Sequence, residues 1–181
     1  MQNHYFIGIK IPPHIEKQVE MFREQYQLRD HYKVIPHIDD LHVTLFYLGA
    51  VSDQNLLSLK SKLIEIADSH SPFSLNIDGV SYFGPASGPR VVYLSISEIR
   101  ELSNLQKKIV SDVAEKIGIP TTNRFTPHVT IAKKRKSTDD LVIQKEPFQP
   151  IEVPVQAFSL FLVHPNLSPK YEAVETFQLR S

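Results

Sequence analysis

The chain has 181 residues, in which 20 Lys and Arg balance 20 Asp and Glu, with 41% hydrophobic residues and no cysteine. This length and apolar content predict one compact globular domain over residues 1–181 rather than a disordered chain. A chain without cysteine has no disulfides, no thiolate metal sites and no cysteine nucleophile. The longest apolar stretches, such as 158–163, are too short to cross a bilayer, and Met1 begins no signal-peptide pattern. We therefore expect a cytoplasmic protein with no membrane partner.

The formal net charge of zero limits the class of partner. Proteins that bind long duplex nucleic acid usually carry a basic surplus, because each phosphate contact releases counterions. A small anionic ligand, or one end of a nucleic acid, needs only a few well-placed cations. These two ligand classes remain open, and long duplex nucleic acid is not expected.

The hydrophobic pattern of the first half predicts two strands, each followed by a helix. In order, these are a strand over 5–11, a helix over 15–26, a strand over 41–48, and a helix that Ser52 or Asp53 caps.

The second half predicts more strands than helices. The expected elements are strands over 73–77 and 90–96, a helix over about 102–117 ending at Gly118, and strands over 128–133, 153–163 and 171–179. The last two form a hairpin-like pair rather than a βα series. An α+β fold with mainly antiparallel sheets is therefore favoured over a doubly wound one.

One tetrad of His, apolar residue, Thr and apolar residue occurs twice, at 42–45 and 128–131. The chain has 8 His, 7 Thr and 41% hydrophobic residues. From this composition alone, the expected number of such tetrads is about 0.05, and the probability of finding two is about one in a thousand. Each copy lies on a predicted strand, where His and Thr share one face because side chains alternate. The repeat therefore predicts two imidazoles and two hydroxyls around one phosphate-sized group.

Paired histidines suit the opening of a phosphodiester. A neutral histidine can take a proton from the attacking oxygen, and a protonated one can give a proton to the leaving oxygen. The unperturbed imidazole pKa near 6.5 makes both forms accessible near neutral pH. Threonine hydroxyls can donate hydrogen bonds to the phosphate oxygens as charge develops. The near-symmetric repeat leaves open which of His42 and His128 is the acid.

The two tetrads, about half a chain apart, resemble those of the 2H phosphoesterase superfamily. Within it, the chain is similar to the RNA 2',3'-cyclic phosphodiesterases, also called 2'-5' RNA ligases. Segments that carry the likeness are 6–9, 41–49, 90–94, 125–133 and 169–172.

The resemblance implies a bilobal, pseudo-symmetric fold of two mainly antiparallel sheets flanked by helices, with the site in a central cleft. It implies hydrolysis of terminal 2',3'-cyclic phosphates of RNA to 2'-phosphomonoesters without a metal or cofactor, and in some members reversible 2'-5' ligation. It implies His42 as the acid, His128 as the base, and Thr44 and Thr130 as phosphate ligands. We expect RNA 3' ends or cyclic nucleotides as partners, and a monomer.

Two positions depart from the family pattern. Family members commonly have Arg five residues after the second histidine, where this chain has Lys133. Lysine keeps the charge but loses the bidentate fork, and we expect Lys133 to bind the substrate phosphate. Strict alternation would place Lys134, not Lys133, on the face of His128. Lys133 can reach that face only if the strand has a twist or a bulge near its end. Many relatives have Arg where this chain has Phe46. Alternation places the Phe46 ring on the same face as His42, where this ring could stack on a base.

Other interpretations of these residues remain. The histidines could be hydrogen-bonded strand residues or metal ligands, although no third ligand follows at a zinc-like spacing. The threonines could simply favour strand structure. The chain could also act on small cyclic nucleotides or 2'-5' oligonucleotides, or bind RNA ends without turnover. Intact tetrads favour the enzyme.

Overall fold

The computed structural model describes residues 2–121 and 124–181. In this part of the chain the strands are β1 (His4–Lys10), β2 (Tyr32–Val34), β3 (His42–Ala50), β4 (Phe73–Phe83), β5 (Val91–Ile96), β6 (His128–Arg135), β7 (Glu146–Val155), β8 (Ala157–Val163) and β9 (Tyr171–Gln178). The α-helices are α1 (Glu16–Gln25), α2 (Leu28–His31), α3 (Asp53–Asp68) and α4 (Arg100–Ile117). None of the described helices combines the length and apolar character of a membrane span.

The strands form one nine-stranded sheet in the order β7-β4-β5-β6-β3-β1-β8-β9, with β2 added beside β6. All the pairs are antiparallel. The two halves join between the motif strands, where Val43 pairs with Val129. This confirms the α+β class, and it shows that the two sheets predicted from the sequence are connected at their centre.

The helices cover the sheet and bury one hydrophobic core. α3 packs against α4 and β9, α4 against β3, and α1 against β6. Ser52 caps α3, as predicted, by accepting a hydrogen bond from the Asn55 N–H at 3.2 Å. Gly118 ends α4 with a φ of 68°, a left-handed conformation that favours glycine.

The prediction of one strand over 153–163 is wrong. The chain breaks at Gln156 into β7, which pairs with β4, and β8, which pairs with β1 near the opposite end of the sheet. The apolar pattern runs through both strands, so it carries no sign of the break. The short elements α2 and β2 were also not predicted, because they are too short for periodicity to detect.

Each motif strand contains a β-bulge three residues after its histidine. On β3, Ile7 pairs with Phe46 and Gly8 with Thr44, so Leu45 is the extra residue. On β6, the neighbours of Ile131 pair with consecutive residues of β5, so Ile131 is the extra residue. A bulge reverses the alternation of side chains beyond it, and this decides which later residues face the site.

Candidate active site

The two motif histidines have the same backbone anchor. The Nδ1 atom of His42 lies 2.7 Å from the carbonyl oxygen of Asp40, and Nδ1 of His128 lies 2.7 Å from that of Thr126. Because a carbonyl only accepts, both Nδ1 atoms carry the proton and donate. In the neutral rings, Nε2 is therefore the basic atom available for proton transfer.

The two motifs cross at the junction of the sheet. Val43 and Val129 pair antiparallel and are fully buried. This direction places His42 across from Thr130 and Thr44 across from His128, on the face opposite the two valines. Thr44 also donates its hydroxyl to Nε2 of neutral His42 at 2.9 Å. All four residues of the repeat are thus brought to one surface.

Burial favours the neutral form of both histidines. It lowers the pKa of His42 to about 4, although the hydrogen bond to Asp40 acts in the opposite direction, and the charges of His128 and Lys133 lower it further. Burial also lowers the pKa of His128, opposed by its hydrogen bond to Thr126. In the free protein near neutral pH, both rings can therefore accept a proton, and a bound anion would be needed to favour an imidazolium.

A cavity of about 370 Å³ opens beside the motifs. Its lining includes three of the four motif residues, His42, Thr44 and Thr130, together with Lys133, whereas His128 lies outside this lining. Aromatic rings form much of the remaining wall, namely Phe6, Tyr47 and Tyr171. A groove of about 770 Å³ along α4 is larger, but its lining contains no residue of either tetrad. The chemistry therefore identifies the smaller cavity as the candidate site.

Lys133 lines this cavity, the position that a phosphate ligand needs. The bulge at Ile131 buries Ala132 and returns Lys133 to the face of His128 and Thr130, while Lys134 is exposed. Burial lowers the pKa of Lys133, and the neighbouring charges of Lys170 and Lys134 add to this effect.

The expectation that Phe46 shares the face of His42 is wrong. The bulge at Leu45 turns Phe46 into the core, where it is 6% exposed, and Tyr47 takes the position beside the cavity. Tyr47 is 56% exposed, and its hydroxyl lies 2.8 Å from Nδ1 of His4. Sequence reasoning missed Tyr47 because strict alternation points it away from the site.

Asp40 is a second residue that sequence reasoning missed. Its buried carboxylate accepts hydrogen bonds from the backbone N–H groups of Lys170 at 2.7 Å and Tyr171 at 3.1 Å. The Tyr171 ring in turn stands edge-on to His42, with 5.1 Å between ring centroids. Asp40 thus ties the start of β9 to the strand that carries His42. The one feature of the sequence that could have pointed to Asp40 is its position two residues before His42.

Residues 2–121 and 124–181 contain no group of three or more His, Cys, Asp or Glu side chains arranged to hold a metal ion. Metal independence of the reaction stays a prediction, which a chelator tests directly.

Comparison with known proteins places the chain in a family. The model of the 2'-5' RNA ligase superfamily matches residues 11–165. The RNA 2',3'-cyclic phosphodiesterase of Bacillus subtilis is 34% identical over 179 residues, covering 97% of this chain and 96% of the relative. A Thermotoga maritima protein of the same name is 27% identical over 158 residues, covering 86% of this chain and 84% of the relative.

A solved structure has the same fold. The crystal structure of E. coli LigT complexed with 3'-AMP superimposes with a TM-score of 0.84 over the whole of both chains, at 23% identity. Together with the family match over most of the chain, these comparisons show that the protein belongs to the 2'-5' RNA ligase superfamily.

Proposed function

We propose that the protein is an RNA 2',3'-cyclic phosphodiesterase, which hydrolyses a terminal 2',3'-cyclic phosphate to a 2'-phosphomonoester. The observation that carries the proposal is the crossing of the two tetrads, which brings two imidazoles and two hydroxyls to one surface beside a lysine-lined cavity. The names of the relatives support the same activity.

In this reaction water attacks the phosphorus, and the bond from phosphorus to the 3' oxygen breaks. One neutral histidine accepts a proton from the water, and the protonated histidine donates its proton to the departing 3' oxygen. The product keeps its phosphate on the 2' oxygen. Thr44, Thr130 and Lys133 would stabilise the charge that develops on the non-bridging oxygens. In 2'-5' ligation the 5' hydroxyl of a second RNA would take the place of the water, while the same bond to the 3' oxygen breaks and receives the proton.

The resemblance assigns the acid to His42 and the base to His128, and we retain this assignment. Because the pKa of His42 is about 4 in the free protein, its protonated form is scarce near neutral pH. The negative charge of a bound cyclic phosphate, added beside the imidazole, would stabilise that form. The substrate would therefore help to generate its own general acid.

Product analysis on a panel of substrates tests the proposed function. The panel comprises short RNA with a 2',3'-cyclic end, free 2',3'-cyclic mononucleotides and 2'-5' linked oligonucleotides, each with and without EDTA. We expect a 2'-phosphomonoester from the cyclic RNA at a rate that EDTA leaves nearly unchanged. Cleavage of only the 2'-5' oligonucleotides, or of no substrate, would contradict the proposal. Activity lost with EDTA and restored by one divalent ion would contradict metal independence.

We further infer one bilobal domain over 1–181 that acts as a cytoplasmic monomer. The continuous sheet supports a single domain, because β6 and β3 join strands from the two halves of the chain. Light scattering in solution tests the monomer by comparing the measured mass with that of one chain.

A further inference from the structure

A second cavity adjoins the candidate active site. It has a volume of about 220 Å³ and shares five lining residues with the first cavity: Pro36, Asp40, Lys133, Lys170 and Tyr171. The second cavity alone also includes Lys33, His37 and Ser168 in its lining. The two cavities therefore form one cleft that continues beyond the motif histidines.

The continuation of the cleft is strongly positive, although the whole chain has no net charge. Lys33, Lys133 and Lys170 all line it. In the described ranges, no carboxylate oxygen lies within 4.0 Å of any of their three ammonium groups. Asp40 also lines the cavity, but both of its oxygens already accept backbone N–H groups.

The fold holds two of these charges close together. Lys170 lowers the pKa of Lys133, so the ammonium groups repel one another. The Asp40 carboxylate fixes the backbone of Lys170, and Val34, next to Lys33, pairs with Lys133 across β2 and β6. Like charges gathered in a concave site attract an anion, which offsets their repulsion.

We propose that this continuation is a second phosphate subsite, which binds the phosphate on the 5' oxygen of the terminal nucleotide. In RNA that phosphate is the last internucleotide linkage. The proposal rests on the proposed function, because it takes the cyclic phosphate to lie at the motif histidines. The ligand is then an RNA end of at least two nucleotides, and the subsite favours it over a cyclic mononucleotide.

The test compares three substrates that share the same cyclic end. These are adenosine 2',3'-cyclic phosphate, the ApA dinucleotide ending in a 2',3'-cyclic phosphate, and the same dinucleotide with an uncharged methylphosphonate linkage. For the wild type, we expect kcat/KM to be highest for the charged dinucleotide, with an advantage that falls as salt concentration rises.

Variants then locate the subsite. Lys33→Ala and Lys170→Ala should each lower the ratio of kcat/KM between the charged dinucleotide and the mononucleotide by about 3- to 10-fold. Lys33→Arg should restore most of the ratio. Lys17→Ala removes an exposed lysine of α1 outside the cleft and should leave the ratio unchanged. Lys33 is itself exposed, so its replacement should not prevent folding.

The outcomes separate the two proposals. Equal kcat/KM for the charged and uncharged dinucleotides, or a ratio unaffected by Lys33→Ala and Lys170→Ala, would overturn the subsite while leaving the proposed function intact. If the protein hydrolysed none of the three cyclic substrates, the proposed function itself would be overturned.

Discussion

Leu45 and Ile131 are the extra residues of two β-bulges at equivalent positions, each three residues after a motif histidine. Both side chains are buried, and so is the residue that follows each of them. The fifth residue after each histidine, Tyr47 or Lys133, then lies beside the cavity. The repeat therefore extends beyond the tetrads into matching backbone irregularities, which set the aromatic and cationic walls of the site.

Burial of His42 should make the stability of the protein pH-dependent. Its pKa is about 4 in the folded protein against an ordinary value of 6.5, so the folded state binds fewer protons than the unfolded state between these values. The free energy of unfolding should therefore fall as the pH drops from 6.5 to 4, by about 3 kcal/mol from this residue.

Urea denaturation of wild type and His42→Asn at pH 7 and pH 4 measures this contribution. The variant should lose less stability on acidification than the wild type, and His14→Asn, at an exposed position, should behave like the wild type. The same acid sensitivity in the wild type and His42→Asn would contradict the burial argument.

The tetrads could be predicted from the sequence, whereas the side chains that follow them could not. His42, Thr44, His128 and Thr130 precede the bulges, where simple alternation still holds. The bulge on β3 depends on pairing with β1, whose residue at this point is Gly8. A Cβ atom there would lie 2.8 Å from the Val43 carbonyl oxygen, so glycine permits the close approach of the strands. Such a long-range contact leaves no periodic signal near Phe46.

The rate should depend on pH differently in the free protein and in the substrate complex. Turnover needs one proton on the histidine pair, and burial lowers the pKa of both residues. The bell-shaped profile of kcat/KM, which reports the free protein, should therefore have its maximum below pH 6.5. The profile of kcat should have its maximum at higher pH, because the phosphate anion raises the pKa values in the complex. Coincident maxima above pH 8 would be inconsistent with this account.

Lys133 should contribute to transition-state binding through its charge. Lys133→Ala should lower kcat/KM by about 10- to 100-fold, which corresponds to about 1.5–3 kcal/mol for a charge-assisted hydrogen bond. Lys133→Arg should retain most of the activity. The neighbouring exposed Lys134 has a φ of 63°, so Lys134→Asn, which tolerates this conformation, is the matched control. Equal changes in kcat/KM for the variants at positions 133 and 134 would contradict the assignment of Lys133 to the phosphate site.

Tyr47, rather than Phe46, should affect the binding of a nucleobase. Tyr47→Ala should raise KM about 5- to 100-fold, as expected for loss of one base-stacking contact, while Tyr47→Phe should retain most of the affinity. Phe46→Ala should instead lower the free energy of unfolding by about 3–5 kcal/mol, because it leaves a cavity in the core. Steady-state kinetics and urea denaturation of the three variants separate these roles. A normal KM for Tyr47→Ala would contradict the assignment.

The turnover of His42→Ala and His128→Ala on RNA with a 2',3'-cyclic phosphate end tests the central claim most directly. We predict that each variant loses about 10²- to 10⁴-fold in kcat, the usual contribution of a positioned proton-transfer group. The double variant should lose less than the product of the two, because the pair acts as a unit. Thermal melting near that of the wild type at pH 7 would show that the loss is catalytic. A folded single variant with near-normal turnover would contradict the assignment of both histidines.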